Sequence, residues 1–426
     1  MEKSSQNLSI PVELLGLANI EIIEVKMGRD DEIFIKVKST KDEIPCRQCG
    51  KPTKVHGKGR TLKIRHLPIL GKKTFIEITP MRGICDQCDD RPSTTQTLSW
   101  YEHNARHTKA YEQYILLSIK NSTITDASIK EEISEGTIQN ILNKYIDDEV
   151  DWNTIKKLGI LGIDEISLKK GYRDFITIIT SRIAGKNQIL AVLKGRDKVT
   201  VKAFFNSIPE KLHKTIIAIC CDMYDGYVNA ASEVFDDKVA IIVDRFHVAK
   251  LYRKALVSLR QQELSRLRKA LSKEEYESLK TAIAILVKKQ EKYTKHDKKE
   301  LEKLFAYSPA LKAAYRLARQ LTSIYNTKHR KKTADKKLTQ WIESVHNSDV
   351  RCFDGFIETL KKYQDYVINY FVDRNTSGFV EGLNNKFKVA KRRCYGISNL
   401  KNFFQRIFLD LTPYYILKRN QFVMAK

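Results

Sequence analysis

Gly159-Ile160-Leu161-Gly162-Ile163-Asp164-Glu165 is an apolar run of strand length that ends in two carboxylates. A second run, Ile217-Ala218-Ile219-Cys220-Cys221-Asp222-Met223, ends the same way. Runs this apolar suit strands buried on both faces. Outward from these two, residues 158–163, 175–180, 189–193, 215–221 and 239–243 all have strand length and apolar character, and 199–212 has helical spacing. The order of three strands, helix, strand, helix, strand predicts an α/β layer with a mixed sheet. In open α/β sheets, ligands gather beyond the strand carboxyl ends. If the first and fourth strands are neighbours, Asp164 and Asp222 converge. Converging carboxylates are hard oxygen ligands, suited to Mg²⁺ or Mn²⁺. Taken singly, each aspartate reads equally as a turn or cap residue.

A third acid is available further on. In Thr376-Ser377-Gly378-Phe379-Val380-Glu381-Gly382-Leu383-Asn384-Asn385-Lys386-Phe387-Lys388, an apolar stripe of Val380, Leu383, Phe387, Ala390 and Cys394 recurs at helical spacing. Glu381, Asn385, Lys388 and Arg392 line a neighbouring polar face. That face can hold a metal at its N-terminal end and DNA phosphates further along, with Lys388, Lys391, Arg392 and Arg393 as the cations. The plainer reading of Glu381 is a solvated helix acid.

Between these segments lies Val243-Asp244-Arg245-Phe246-His247-Val248. Asp244 also follows an apolar strand and competes with Asp222 as a metal ligand. His247 can contact a scissile phosphate or help order the metal site. Alternatively, Asp244 caps a helix that begins near Phe246, with His247 packed beneath it.

Near the N-terminus, Cys46-Arg47-Gln48-Cys49 and Cys85-Asp86-Gln87-Cys88 each place two thiolates on one tight turn. Two such knuckles supply four sulfurs for tetrahedral zinc, a closed structural site with no position left for catalysis. The strand-like pattern between them suits a zinc ribbon. The competing readings are coincidental pairs or a redox motif. His56, His66, His103 and His107 are alternative ligands, though each also reads as an ordinary histidine.

Residues 124–142 resemble a helix-turn-helix, with the break near Ser134-Glu135-Gly136 and Ser134 placed to cap the second helix. Thr137, Gln139, Asn140 and Lys144 then fall on or near its exposed side. Gln and Asn can read adenine edges in a major groove. An ordinary helical hairpin is the plain alternative.

The chain has 426 residues and a net charge of +25, with 42% hydrophobic and 30% charged residues. That composition excludes wholesale disorder and argues for a polyanionic partner, nucleic acid first. No apolar run is long enough for a transmembrane helix. The first residues lead into no apolar signal core, so a reducing compartment is expected. Residues 250–340 hold 25 Lys and Arg against 9 Asp and Glu, and read as helical. Such a stretch either tracks phosphates or forms a solvated bundle. Trp341 either stacks on an unpaired base or belongs to a core.

Taken together, these motifs make the chain similar to the ISL-three family of insertion-sequence transposases, over nearly its whole length. The matching residues are Gly162-Ile163-Asp164-Glu165, Asp222-Met223-Tyr224 with Tyr227, and Val243 to Val248. They continue with Glu381-Gly382-Leu383-Asn384-Asn385-Lys386, Lys391-Arg392-Arg393-Cys394-Tyr395-Gly396, and the N-terminal cysteine pairs. Ser377 departs from the pattern, where Asn is expected.

The resemblance implies an N-terminal β-rich zinc ribbon (1–100), a helix-turn-helix (101–150) and an RNase H-like core (151–247). A basic helical insertion (248–345) and C-terminal catalytic helices (346–426) follow. It implies Asp164, Asp222 and Glu381 as a catalytic acidic triad holding two Mg²⁺ or Mn²⁺ ions, with Asp244 and His247 as a D-x-x-H motif. It further implies double-stranded DNA as partner (terminal inverted repeats and target), 3′-OH strand transfer, a homodimer holding two ends, no membrane, and a prokaryotic cytoplasm. Two other functions remain: a DNA-binding regulator with a dead core, and a metal-dependent nuclease without strand transfer.

Overall fold

The computed structural model describes residues 10–29, 32–167, 175–286, 292–375, 378–393 and 399–413. They fall into two compact units, Met1–Asp147 with Phe408–Lys426, and Asp148–Ile407.

The first unit opens with β1 (Ile20–Met27), β2 (Ile33–Ser39), β3 (Lys54–Lys58), β4 (Leu62–Ile69), β5 (Lys72–Ile78), β6 (Met81–Ile84) and β7 (Ser93–Thr95). One sheet runs β1-β2-β5-β4 and another β3-β6-β7. In β2, Ile33, Ile35 and Val37 are buried while Lys36 and Lys38 are exposed, the two-residue period of a half-buried strand. The β4–β5 hairpin closes at Ile69 and Lys72 through Leu70 (φ 50°) and Gly71 (φ 76°). A two-residue turn with both φ values positive is the primed type that matches strand twist. Leu70 adopts it without glycine's freedom, and its side chain is exposed.

Three helices follow, α1 (Lys109–Ile119), α2 (Ile124–Glu131) and α3 (Glu135–Tyr145). Thr108, Thr123 and Ser134 cap them, each side chain accepting a backbone N–H of the first turn. The expected Ser134 cap is present, but the break sits one step earlier. Glu132 takes the left-handed conformation (φ 51°) that ends α2, and Gly136 lies inside α3. Tyr111, Ile115, Leu116, Ile138 and Leu142 pack with Leu409 in one buried cluster. Buried Lys120 donates to the carbonyls of Leu409, Asp410 and Thr412 at 2.7–2.8 Å, satisfying the loose end of a C-terminal helix.

The second unit contains β8 (Gly159–Ser167), β9 (Phe175–Ile183), β10 (Lys186–Lys194), α4 (Lys198–Ser207), α5 (Glu210–His213), β11 (Ile216–Cys221), α6 (Asp225–Phe235) and β12 (Ala240–Val243). Its sheet runs β10-β9-β8-β11-β12. β8, β11 and β12 are parallel, and β9 is antiparallel to both its neighbours. This is the mixed sheet expected from the apolar runs, with the first and fourth strands side by side.

Helices account for the rest: α7 (Arg245–Ala270), α8 (Lys273–Ser278), α9 (Lys280–Ile285), α10 (Lys295–Tyr307), α11 (Pro309–Asn326) and α12 (Lys331–His346). They continue with α13 (Asp354–Lys362), α14 (Gln364–Asp373), α15 (Gly378–Arg393) and α16 (Leu400–Leu411). The basic stretch is helical as expected, but it does not part from the core at residue 248. α7 runs straight across that position. Leu317 and Leu321 on α11 and Leu338 and Val345 on α12 join the sheet's own buried cluster. Among the described residues, the distal part, around Leu267, Leu279, Leu304 and Leu311, has a separate core. Trp341 is buried, and its indole N–H donates to the Leu317 carbonyl at 2.8 Å. It belongs to the core and cannot stack on a base.

Candidate active site and zinc module

The pairing of β11 with β8 sets Ile219 opposite Leu161 and Cys220 opposite Gly162. Continued two residues past Cys220, that register puts Asp222 level with Asp164. On the other side of β11, Cys221 faces Val243 of β12, so Asp244 follows at the same level. Asp222 and Asp244 thus follow the last residues of β11 and β12, level with Asp164, which lies three residues inside the end of β8.

Their environments separate them. Asp164 is half-buried; burial pushes its carboxyl above the usual range, against the Glu165 N–H and the charge of His247, while Asp222 adds to the rise. Asp222 is also desolvated, but a hydrogen bond and the charge of His247 outweigh burial and hold it below its usual value. His247 Nδ1 lies 3.0 Å from Asp222 Oδ1. Burial alone lowers the imidazole, yet the Asp222 contact prevails and raises it. The sign pattern is that of a paired Asp–His.

Asp244 is 3% exposed, and its Oδ1 accepts the Phe246 N–H at 2.7 Å as the N-cap of α7. Its carboxylate is therefore engaged in capping. His247, one turn on, faces Asp222 and is not inert packing.

Helix α15 crosses β8 at Gly162. A Cβ there would lie 2.2 Å from Val380 Cγ2, so only glycine admits the helix this closely. Val380, Leu383, Phe387 and Ala390 are buried as the stripe predicts. Asn384 is buried among them and donates Nδ2–H to Asp164 Oδ2. Position 381 lies one turn N-terminal to Asn384 on the same helix. The Glu381 side chain, and residues 376, 377 and 394–398 with Cys394 among them, lie outside the described residues. Lys388 and Arg392 are exposed on α15 and Arg393 is half-buried. Lys391, expected to contact phosphate, instead donates to the Ser167 carbonyl at the end of β8 at 2.9 Å.

Glu165, beside Asp164, pairs with Arg196 at 2.9 Å. That guanidinium also lies over the rings of Phe175 and Tyr224 at 4.7 and 4.8 Å. Tyr227 is buried with its hydroxyl 3.1 Å from Thr177 Oγ1. These residues form a brace behind the carboxylate edge.

In the first unit, the Sγ atoms of Cys46, Cys49, Cys85 and Cys88 all lie within 4.8 Å of one another. Cys46–Cys88, Cys49–Cys85 and Cys85–Cys88 are 3.9, 3.6 and 3.7 Å apart. A tetrahedron with Zn–S bonds of about 2.3 Å has edges of roughly 3.8 Å, so the four sulfurs fit zinc. The knuckles are alike: Gln48 N–H approaches Cys46 Sγ and Gln87 N–H approaches Cys85 Sγ, each at 3.4 Å. Backbone donors from Cys49 and Gln48 bring Cys46 down to about 7, while the Cys49 sulfur and burial push Cys88 up to about 12. Sulfurs so crowded call for a shared cation. The histidine alternatives fall away among the described residues. His66, for example, is buried with its ring nitrogens on Thr108 Oγ1 and the Leu15 carbonyl.

On α3, Asn140 is exposed, Gln139 donates to Asn143 Oδ1 at 2.9 Å, and Thr137 bonds the Ser134 hydroxyl at 2.8 Å. Lys144 is the exception to the expected reading face. Its ammonium sits 2.7 Å from buried Glu112 and 3.1 Å from Glu102, while Tyr145 also donates to Glu112. It is spent inside the unit.

Residues 161–407, more than half of the chain, match a DDE-type transposase family model of the ISL3 class. The chain belongs to the ISL3 transposase family. Residues 96–146 match the helix-turn-helix domain of transposase family ISL3, and 42–88 match the zinc-finger of transposases IS204/IS1001/IS1096/IS1165. The transposase for insertion sequence element IS1001 of Bordetella parapertussis is 25% identical over 384 residues, 89% of this chain and 91% of that relative. Among solved structures, the Drosophila P element transposase strand transfer complex aligns with a TM-score of 0.40 at 12% identity, over 74% of this chain and 94% of that one. A likeness at that level carries no inference. This ISL3 transposase therefore combines a four-cysteine zinc-binding cluster, a helix-turn-helix that implies DNA as partner, and a DDE catalytic domain. No described helix is long and apolar enough to cross a membrane.

Asn384 and the Glu165–Arg196 brace escaped the sequence reading. Asn384 had a signal: a lone amide within an apolar helical stripe.

Proposed function

We propose that this transposase binds the terminal inverted repeats of its own insertion sequence, cleaves there, and joins the freed 3′-OH to target DNA. The observation that carries the reading is the pair of level carboxylates, Asp164 and Asp222, on adjacent strands, with α15, which carries position 381, packed across β8. Each carboxylate keeps lone pairs uncommitted, and their mutual repulsion is what a divalent ion relieves, so the donor set fits Mg²⁺ or Mn²⁺. Asp164, Asp222 and Glu381 would hold two such ions. When bound, two divalent ions activate an oxygen nucleophile and stabilise the leaving oxygen of a phosphodiester.

The chain's own residues supply the rest. His247 orients the Asp222 carboxylate, and Asp244 fixes the start of the helix that carries His247. Lys388 and Arg392, exposed on α15, contact the backbone phosphates, with Arg393 beside them. Asn140, with Thr137 and Gln139, reads bases from α3. Water attacks first at the element's end and releases a 3′-OH; that hydroxyl then attacks a target phosphodiester in line. Two ends must be held together, which calls for at least two protomers.

The test is Mg²⁺-dependent cleavage and joining of DNA carrying the element's own ends, by wild type and by Asp164→Ala, Asp222→Ala and Glu381→Ala. Joining by wild type alone, with end binding intact in all four proteins, supports the assignment. Strand transfer by any of the three variants sinks it. Cleavage without joining by wild type moves the reading to a nuclease.

A further inference from the structure

We propose that Asn384 is a positioning residue that fixes the Asp164 carboxylate for metal; this rests on the reading of Asp164 as a metal ligand. Asn384 is 3% exposed, within the stripe of Val380, Leu383, Phe387 and Ala390 that packs α15 onto the sheet. A leucine suits such a position; an amide does not, because a buried polar atom without a partner loses its hydration for nothing. That loss occurs here. Asn384 Oδ1 is buried with no hydrogen-bond partner among the described residues. The nitrogen is the atom that works. An ionised carboxylate only accepts, so the amide must present Nδ2–H to Asp164 Oδ2, as it does. The other Asp164 oxygen accepts the Glu165 N–H at 2.7 Å.

One donor on each oxygen sets the plane of the carboxylate and leaves a lone pair on each for a cation. Asp222 is held differently: His247, from α7, and the Met223 N–H both meet its Oδ1. Each of the two aspartates thus has its own orienting side chain, delivered by a different helix. Loss of such an outer partner typically weakens metal affinity or activity by about 10–100-fold.

The experiment uses full-length, zinc-loaded protein and Mn²⁺ as the probe. Asn384→Leu keeps the branched skeleton, with methyl groups in place of the oxygen and nitrogen, and removes both the donor and the orphaned acceptor. Asn384→Ala makes the same deletion with no risk of a clash. The expected result is a melting temperature for Asn384→Leu equal to or above wild type, with the Mn²⁺ concentration that raises it shifted up about 10–100-fold. Binding to the element's ends without metal stays unchanged, and the Mg²⁺ needed for half-maximal cleavage rises by a similar factor. Asn384→Ala should show the same metal shift. A wild-type Mn²⁺ response in both variants overturns the proposal, as does a loss of melting temperature with that response kept. Asp164→Ala separates the two claims. If it keeps the Mn²⁺ response, the metal-ligand reading itself fails. If it loses the response while the Asn384 variants keep it, only the positioning role fails.

Discussion

Gly162 on β8 and Val380 on α15 meet with no room between them for a methyl group: a Cβ at 162 would lie 2.2 Å from Val380 Cγ2 and 2.9 Å from Phe379 Cζ. Both obstacles are side chains locked in a core, so the helix itself must give way. Gly162→Ala should cost about 1–3 kcal/mol as overpacking. It should also reduce DNA cleavage, because α15 carries Asn384 and position 381. Thermal melting and a cleavage assay together check this; an alanine variant that melts and cleaves like wild type would show that the contact is slack.

The β4–β5 hairpin offers the opposite change. Leu70 holds φ at 50° before Gly71, in a turn that favours Asn-Gly. Its side chain is 94% exposed and contributes no core. Leu70→Asn should stabilise the protein by roughly 1 kcal/mol, the left-handed penalty relieved. A higher denaturant midpoint at unchanged m-value is the expected readout; a lower one contradicts the turn assignment.

On the helix-turn-helix, two neighbouring positions should behave differently. Lys144 neutralises buried Glu112, so Lys144→Met should destabilise by about 1–2 kcal/mol through the carboxylate left behind. It should leave the salt dependence of DNA binding unchanged. Asn140→Ala should leave the melting curve alone and weaken binding to the element's ends by about 1–3 kcal/mol, the value of one bidentate base contact. Titrations at several salt concentrations, paired with melting curves, separate the two; reversed phenotypes would place Lys144 on the DNA.

The cysteine cluster predicts one zinc per chain. Cys85→Ser should drop the zinc content to near zero and unfold the sheet of β3, β6 and β7, while Asp164 and Asp222, in the other unit, keep their places. Elemental analysis with amide exchange over residues 54–95 reports both. Full protection of that segment without zinc would show that the ribbon folds on its own hydrogen bonds.

Much of this was legible in the sequence. Apolar runs leading to Asp164 and Asp222 foretold two strands of a mixed sheet, because burial leaves few polar positions; Ile217 on β11 is nonetheless exposed. The cysteine spacing foretold the cluster, because two knuckles leave few geometries open. What resisted reading was pairing at a distance. Lys144 and Lys391 look like DNA contacts until Glu112 and the Ser167 carbonyl are found facing them. Both acceptors lie remote in sequence, and no local pattern names them. Charge composition hid something related: it marks the solvent faces of α11 and α12, while their buried faces join the sheet's core. Glu132 at the α2 end shows the same limit, since the turn took a glutamate where Gly136 was available four residues later.

The Lys120 anchor sets a clock on the molecule's birth. Its three acceptor carbonyls lie 289 to 292 residues downstream. At ribosomal rates of about 5–20 residues per second, that interval takes roughly 15–60 s. Throughout it, the helices that are to meet DNA have emerged with a lysine unsatisfied and the place of Leu409 in their core unfilled. A nascent transposase therefore cannot complete its DNA-binding core before its catalytic core has been made, and premature termination within the catalytic core leaves a protein impaired at both tasks.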